Sequence, residues 1–368
     1  MKTLVLSCDT GQGHNMAANA VCEALERIGA EHEMLDPLAA FCSDKTAHGV
    51  TAIYNTMLRK MPGAFGVIYK AGDIYSSTGI TSPVYTANAK YAEPLREYIL
   101  SGDFGSVVAT HLFPMLALTA LKKQGFSAEC FGVLTDYTCV PFFSETALDG
   151  YFIPHESLAG ELAAKGLPAG RMYATGIPVS ARFEAETTMA EARAALSLPQ
   201  GAKIALVMSG GVGCGDPGAV CDALLEECGD ICVCVLTGKN ESLHDALSAR
   251  YSGDSRVRIV PFTNEVALYM RASDVMISKP GGMTSTEACV AGVPLVILQV
   301  YAACETANAG FFESRGLAVC AKNAASAAAA AADILRDPKL GAEMRKAQHE
   351  TIHPHAADRI AAKAVGKW

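Results

Sequence analysis

Short apolar runs recur along the chain, each ending in a glycine-rich or polar corner before a helical pattern begins. Such runs occupy residues 3–7 (TLVLS), 106–109 (SVVA), 130–134 (CFGVL), 204–208 (IALVM), 231–236 (ICVCVL), 274–278 (DVMIS) and 295–300 (LVILQV). Their length and lack of polar alternation fit buried strands of a parallel sheet. Between the first run and HEMLD at 32–36, Val21, Leu25 and Ile28 recur at helical spacing, with Gly29 as the stop. The chain therefore opens as strand, helix, strand, and the pattern predicts an α/β protein.

The most informative stretch is residues 278–294, SKPGGMTSTEACVAGVP. A buried strand, a Gly281-Gly282 turn and a short helix follow one another, with Gly292 and Pro294 as the helix stop. Thr284 and Glu287 have the T-x-x-E spacing of a capping box. A glycine turn that feeds a helix leaves backbone N–H groups and a positive dipole end pointing outward, which suits a phosphate.

Two further strands end in glycine turns. KIALVMSGGVGCGD at 203–216 carries Gly210, Gly211, Gly213 and Gly215, so its backbone can approach a pyrophosphate closely. DTGQGH at 9–14 invites a dinucleotide reading, with Asp36 at the distance of a ribose ligand. That fingerprint needs a third glycine at position 16, where the chain has Met16. His14, His111 and Asp136 all fall just after predicted strands, at the strand ends that face a ligand crevice. A buried Asp136 could equally cap a loop, and His14 could equally cap its helix.

Composition narrows the picture. With 368 residues the chain is long enough for two cores, and a net charge of −8 argues against a general nucleic-acid binder. The 13 cysteines include no C-x-x-C pair, which reads as reduced thiols of a cytoplasmic protein. The N-terminal apolar run is a first strand rather than a signal peptide, and no stretch is predicted to span a membrane. Residues 45–96 run against the overall charge, with six basic and two acidic residues among tyrosines, Phe65, glycines and prolines. That mixture suits an anionic membrane surface, and equally an ordinary solvated helix pair.

GQGHNMAA at 11–18 and FTNEVALYMRASDVMISKPGGMTSTEACVAGVPLVIL at 262–298 resemble the glycosyltransferases that make monogalactosyl- and glucosyl-diacylglycerol. Those enzymes are similar in turn to the N-acetylglucosaminyltransferase of peptidoglycan synthesis. The resemblance is strong at 3–18 and 257–319, moderate at 106–216 and poor at 37–100. It implies the GT-B architecture: two Rossmann-like domains facing each other across a cleft. Residues 1–175 would take the acceptor on the membrane side, and 176–344 would bind the UDP-sugar. The final helix, 345–368, would pack back on the first domain, with Trp368 as an anchor.

The implied reaction moves a hexose from a UDP-sugar to a lipid hydroxyl with inversion, at the inner face of the cell membrane. His14 would be the base, helped by Asp136, with Gly13, His111 and Thr135 at the acceptor. The nucleotide-sugar would meet Gly210, Gly211, Gly213, Asn240, Phe262, Thr263, Lys279, Gly281, Gly282, Met283, Thr284, Glu287, Glu305 and Asn308. Glu287 would hold the ribose hydroxyls, beside its capping-box reading. Cys304 stands where the family has glutamine, which removes an amide from the sugar pocket and leaves the donor sugar open. No D-x-D motif occurs, so the resemblance implies neither metal nor cofactor. A UDP-sugar epimerase of the same fold, or a nucleotide-sugar sensor, remains the alternative.

Overall fold

The computed structural model describes residues 1–9, 12–42, 81–208, 216–298 and 303–368. The chain forms two compact units, the first mainly Met1–Ala181 with Pro354–Trp368, the second mainly Arg182–Tyr301 with Glu305–His353.

The first unit is a parallel sheet of six strands: β1 (Lys2–Leu6), β2 (His32–Leu35), β3 (Phe104–Ala109), β4 (Glu129–Val133), β5 (Gly150–Ile153) and β6 (Met172–Ala174). Their order is β2-β1-β3-β4-β5-β6. Leu4, Val5, Leu6, Val107 and Val108 are completely buried, as expected of strands covered on both faces. The first helix is Gln12–Arg27. It buries Ala17, Ala18, Val21, Ala24 and Leu25, and Gly29 ends it at φ +68°. Each buried Val or Leu contributes about 1.5–3 kcal/mol of transfer free energy.

Pro354 separates the last two helices of the chain, and they go to different units. Pro338–Thr351 belongs to the second unit, whereas Ala356–Ala364 lies against Gln12–Arg27 in the first. Ile360, Ala361 and Ala364 share one core with Val21 and Leu25, and Arg27 donates to Asp358 at 2.6 Å. Trp368 rests against Tyr173 with ring centroids 5.8 Å apart, more than half exposed.

The second unit is another parallel sheet, with β7 (Lys203–Met208), β8 (Ile231–Leu236), β9 (Val257–Val260), β10 (Val275–Ser278), β11 (Leu295–Leu298) and β12 (Ala318–Ala321). Its order, β12-β11-β10-β7-β8-β9, is that of a dinucleotide-binding Rossmann sheet. Arg193, 5% exposed, closes the lower edge by bonding Ala272 O, Gln200 O, Ala202 O and the Asp274 carboxylate.

In both sheets the first strand has neighbours reached by crossovers in opposite directions. The reversal falls between β1 and β3 in the first unit and between β7 and β10 in the second. Loops at the carboxyl ends of such strand pairs splay apart and leave a crevice. Among the described residues, Gly13, His14 and His111 stand at the first of these places, and Lys279, Gly281 and Gly282 at the second.

Candidate active site

In the first unit, β1 leads into the helix that carries His14 in its first turn, and β3 ends at Thr110 and His111. Parallel pairing of Leu6 with Ala109 sets these two corners side by side. His14 Nδ1 lies 2.9 Å from Thr110 O and 3.1 Å from Thr135 Oγ1. A carbonyl only accepts, so Nδ1 carries the hydrogen and Nε2 carries the lone pair. Thr110 Oγ1 is also 3.0 Å from His14 O, so one residue holds both the ring and the backbone of His14.

Burial lowers the His14 pKa below its ordinary value, opposed by the charge of Asp136 and by the bond to Thr110. Thr110 and Thr135 both meet the imidazole at Nδ1, and the charge of Asp136 acts on it as well. His111 packs edge-to-face on His14, with centroids 4.6 Å apart and planes at 87°. Its Nδ1 accepts from Phe113 N at 3.1 Å, which caps the helix Leu112–Lys123. Burial, and then the neighbouring His14, push the His111 pKa well down, so at neutral pH this pair is uncharged.

A polar chain links described residues on β1, on the helix that carries His14 and beyond β2. Ser7 Oγ donates to Asn15 Oδ1 at 2.6 Å, and Asn15 Nδ2 donates to Asp9 Oδ1 at 3.2 Å. Asp9 N donates to Asp36 Oδ2, and the other Asp36 oxygen caps Leu38 N and Ala39 N. Asp36 is thus a turn clamp and helix cap, with both carboxylate oxygens engaged, unlike the ribose ligand of a dehydrogenase. Thr110 and Asn15 carry much of this geometry, and only the strand-end position of Thr110 hinted at it in sequence.

In the second unit, β10 ends in Lys279-Pro280-Gly281 and the helix Gly282–Ala291 follows. The spacing of Thr284 and Glu287 predicted a capping box, and the structure corrects this. The helix opens at Gly282, its N-cap is Gly281, and no side chain caps it. Glu287 lies two turns in rather than in the first turn, so it cannot reach back to the N-cap. The first-turn N–H groups of Gly282, Met283 and Thr284 thus point out at the β7/β10 reversal.

Glu287 is 2% exposed and burial pushes its pKa up to about 8. Two neighbours in this segment, Ser278 and Ser285, have buried hydroxyls with no hydrogen-bond partner among the described residues. Lys279 Nζ donates to Glu305 Oε1 at 2.9 Å, and Asn308 Nδ2 donates to Pro280 O at 3.1 Å. These bonds tie the 279–281 turn to the first turns of the helix Ala303–Ser314.

Gly281 has an ordinary φ of −74°, and among the described residues a Cβ there would meet only Thr284 Oγ1, at 4.0 Å. The fold itself tolerates a methyl group at this position. Gly281→Ala should therefore leave thermal stability within about 0.5 kcal/mol of the parent. Nucleotide affinity should fall at least about tenfold if a diphosphate sits against this backbone, as titration calorimetry with UDP would read.

The other predicted nucleotide residues are dispersed around strand ends. Asn240 Oδ1 caps the helix Glu241–Arg250 through Leu243 N, and Thr263 Oγ1 accepts from Glu265 N. Phe262 is 56% exposed, with Lys239 Nζ 5.5 Å from its ring centre. Gly210, Gly211 and Gly213 lie outside the described residues, as do residues 45–80 of the basic and aromatic segment. In the part of that segment that is described, Tyr91 is buried and bonded to Asn88, and Tyr85 carries Lys123 Nζ at 4.5 Å from its ring centre. No helix among the described residues is long and apolar enough to cross a membrane.

Comparison with known proteins agrees with this division into two units. Residues 14–179 match the monogalactosyldiacylglycerol (MGDG) synthase family, and residues 194–351 match the glycosyl transferases group 1 family. The processive diacylglycerol beta-glucosyltransferase of Bacillus cereus (strain AH187) is 28% identical, over 98% of this chain and 92% of its own. Its counterpart in Bacillus thuringiensis (strain Al Hakam) is also 28% identical over the same shares.

Among solved structures, the kitacinnamycin glycotransferase superposes with a TM-score of 0.67 at 13% identity, covering 100% of this chain and 98% of its own. MurG of Acinetobacter baumannii gives 0.63 at 16%, with both chains fully covered. The UDP-GlcNAc 2-epimerase of Neisseria meningitidis gives 0.61 at 12%, also with full coverage. These likenesses establish the GT-B fold, which transferases and epimerases share.

Proposed function

We propose that this glycosyltransferase, an MGDG synthase domain followed by a group 1 glycosyl transferase domain, moves a hexose from a UDP-sugar to the free hydroxyl of diacylglycerol. The observation that carries the mechanism is the tautomer of His14. Its Nδ1 hydrogen is committed to Thr110 O, so Nε2 is the atom able to take a proton. The acceptor hydroxyl gives its proton to Nε2 as its oxygen attacks the anomeric carbon. The bond from that carbon to the diphosphate breaks on the opposite side, and the electron pair leaves with UDP. The product has inverted configuration.

Negative charge grows on UDP during this step. The uncapped N-terminus of Gly282–Ala291 offers fixed N–H donors for it. Glu287 would hold the ribose hydroxyls, with the uracil near Phe262 and Thr263 and the sugar near Glu305 and Asn308. Asp136 tunes His14, and Gly13, His111 and Thr135 face the acceptor. No metal or cofactor has a part in this scheme. The names of the related glucosyltransferases support diacylglycerol as the acceptor, and with that acceptor the protein would work peripherally at the inner face of the cell membrane.

The test is incubation of the purified protein with a panel of UDP-sugars, with and without vesicles containing diacylglycerol. UDP release that requires vesicles and yields glycolipid is the expected result. Interconversion of UDP-sugars without vesicles would instead make the protein an epimerase, and binding without turnover would make it a sensor.

A further inference from the structure

Lys279 and Glu305 form the one ion pair that borders the uncapped helix end of the second unit, among the described residues. Lys279 stands three residues before the helix Gly282–Ala291, at the end of β10. Glu305 sits in the first turn of the helix Ala303–Ser314, which follows the neighbouring strand β11. The two meet at 2.9 Å with their side chains only 26% and 14% exposed. The pair is therefore held at the rim of the crevice rather than spread over a solvated surface. Asn308, fully buried, locks the same two segments together through Pro280 O.

The geometry has an electrostatic consequence. A lysine beside a diphosphate seat would ordinarily add positive charge for any anionic part of the ligand. Here its charge is already matched by Glu305. A second anion arriving at this rim would meet a fixed carboxylate and would have to displace it from Lys279. Charges within a few ångström at a partly buried site interact strongly, and like charges placed together are discriminated against.

We propose that the Lys279–Glu305 pair sets the charge class of the donor, admitting neutral hexosyl groups and rejecting uronosyl groups. This rests on the nucleotide-sugar reading given above. Beyond the diphosphate, the next part of such a donor is the sugar. A hydroxymethyl group on that sugar can donate to the Glu305 carboxylate, while the carboxylate of a uronate can only oppose it. Glu305 then rejects the wrong donor by repulsion rather than by size.

The experiment measures binding of UDP, of the tightest neutral UDP-hexose, and of the uronate with the same ring stereochemistry, by titration calorimetry. The wild-type protein should bind the uronate at least about tenfold more weakly than the neutral hexose. Glu305→Gln keeps the shape and removes the charge, and should bring the two within about threefold. Glu305→Asp keeps the charge and should retain most of the discrimination. Equal wild-type affinities, or a ratio unmoved by Glu305→Gln while both donors weaken together, would reduce the pair to a structural tie. If UDP and every UDP-sugar fail to bind the wild-type protein, the nucleotide reading itself falls and takes this proposal with it.

Discussion

Replacing His14 with alanine should reduce turnover by about 10²–10⁴-fold, the usual contribution of a positioned general base, and leave UDP affinity within about twofold. The side chain lies in the first unit, and the groups proposed for UDP lie in the second. Steady-state rates with diacylglycerol vesicles, together with UDP calorimetry, separate the two effects. Loss of UDP affinity with turnover per bound substrate preserved would remove His14 from the base role.

The pH profile gives a second reading of the same group. Burial holds the His14 pKa below its ordinary value, so activity should stay flat through neutrality and fall only at more acidic pH. Asp136 raises that pKa by its charge. Asp136→Asn should therefore move the acid limb to lower pH, while a less basic His14 slows the plateau rate. An acid limb that stays in place in this variant would mean that another group titrates.

Nucleotide-sugar affinity should rise with pH, and Glu287 is the reason. In the free protein its pKa stands at about 8, because the carboxyl is buried. Two ribose hydroxyls both donate most readily to an ionised carboxylate, so binding selects the ionised form. Below about pH 8 the protein must first lose that proton, and the dissociation constant should grow by up to about tenfold for each unit of acidification. Above about pH 8 the dependence should level off. The opposite slope, weaker binding as pH rises, would show that Glu287 meets the ligand as a neutral acid.

UDP-sugar rather than UDP is the proper ligand for this titration, since its diphosphate is capped and does not itself titrate near neutrality. Glu287→Gln should abolish the slope and weaken binding at high pH by about 10–100-fold, the worth of charge-assisted hydrogen bonds. A slope that survives in Glu287→Gln would assign the titration elsewhere.

The local units of this protein are written in its sequence. A run such as ICVCVL fits a buried strand, because it is short, wholly apolar and rich in β-branched residues. Gly29 and Gly292 mark helix ends because both adopt positive φ, which side chains resist. The GQGH turn and the 278–294 segment carry the resemblance to the family. Where a helix begins was less legible. Thr284 looked like a cap, but Pro280 and Gly281 let the helix open earlier, and Glu287 became a buried carboxyl instead.

Tertiary structure decided what depends on strand order. The reversals between β1 and β3, and between β7 and β10, come from the crossovers, which no local pattern encodes. Only that order brings Thr110 to His14, 96 residues away, and so selects which imidazole nitrogen can take a proton. It likewise joins Lys279 to Glu305 and brings Asp36 to the backbone N–H of Asp9. The sequence alone therefore specified which residue types stand at strand ends. The fold determined their hydrogen-bond partners, and through burial and neighbouring charge it determined their protonation.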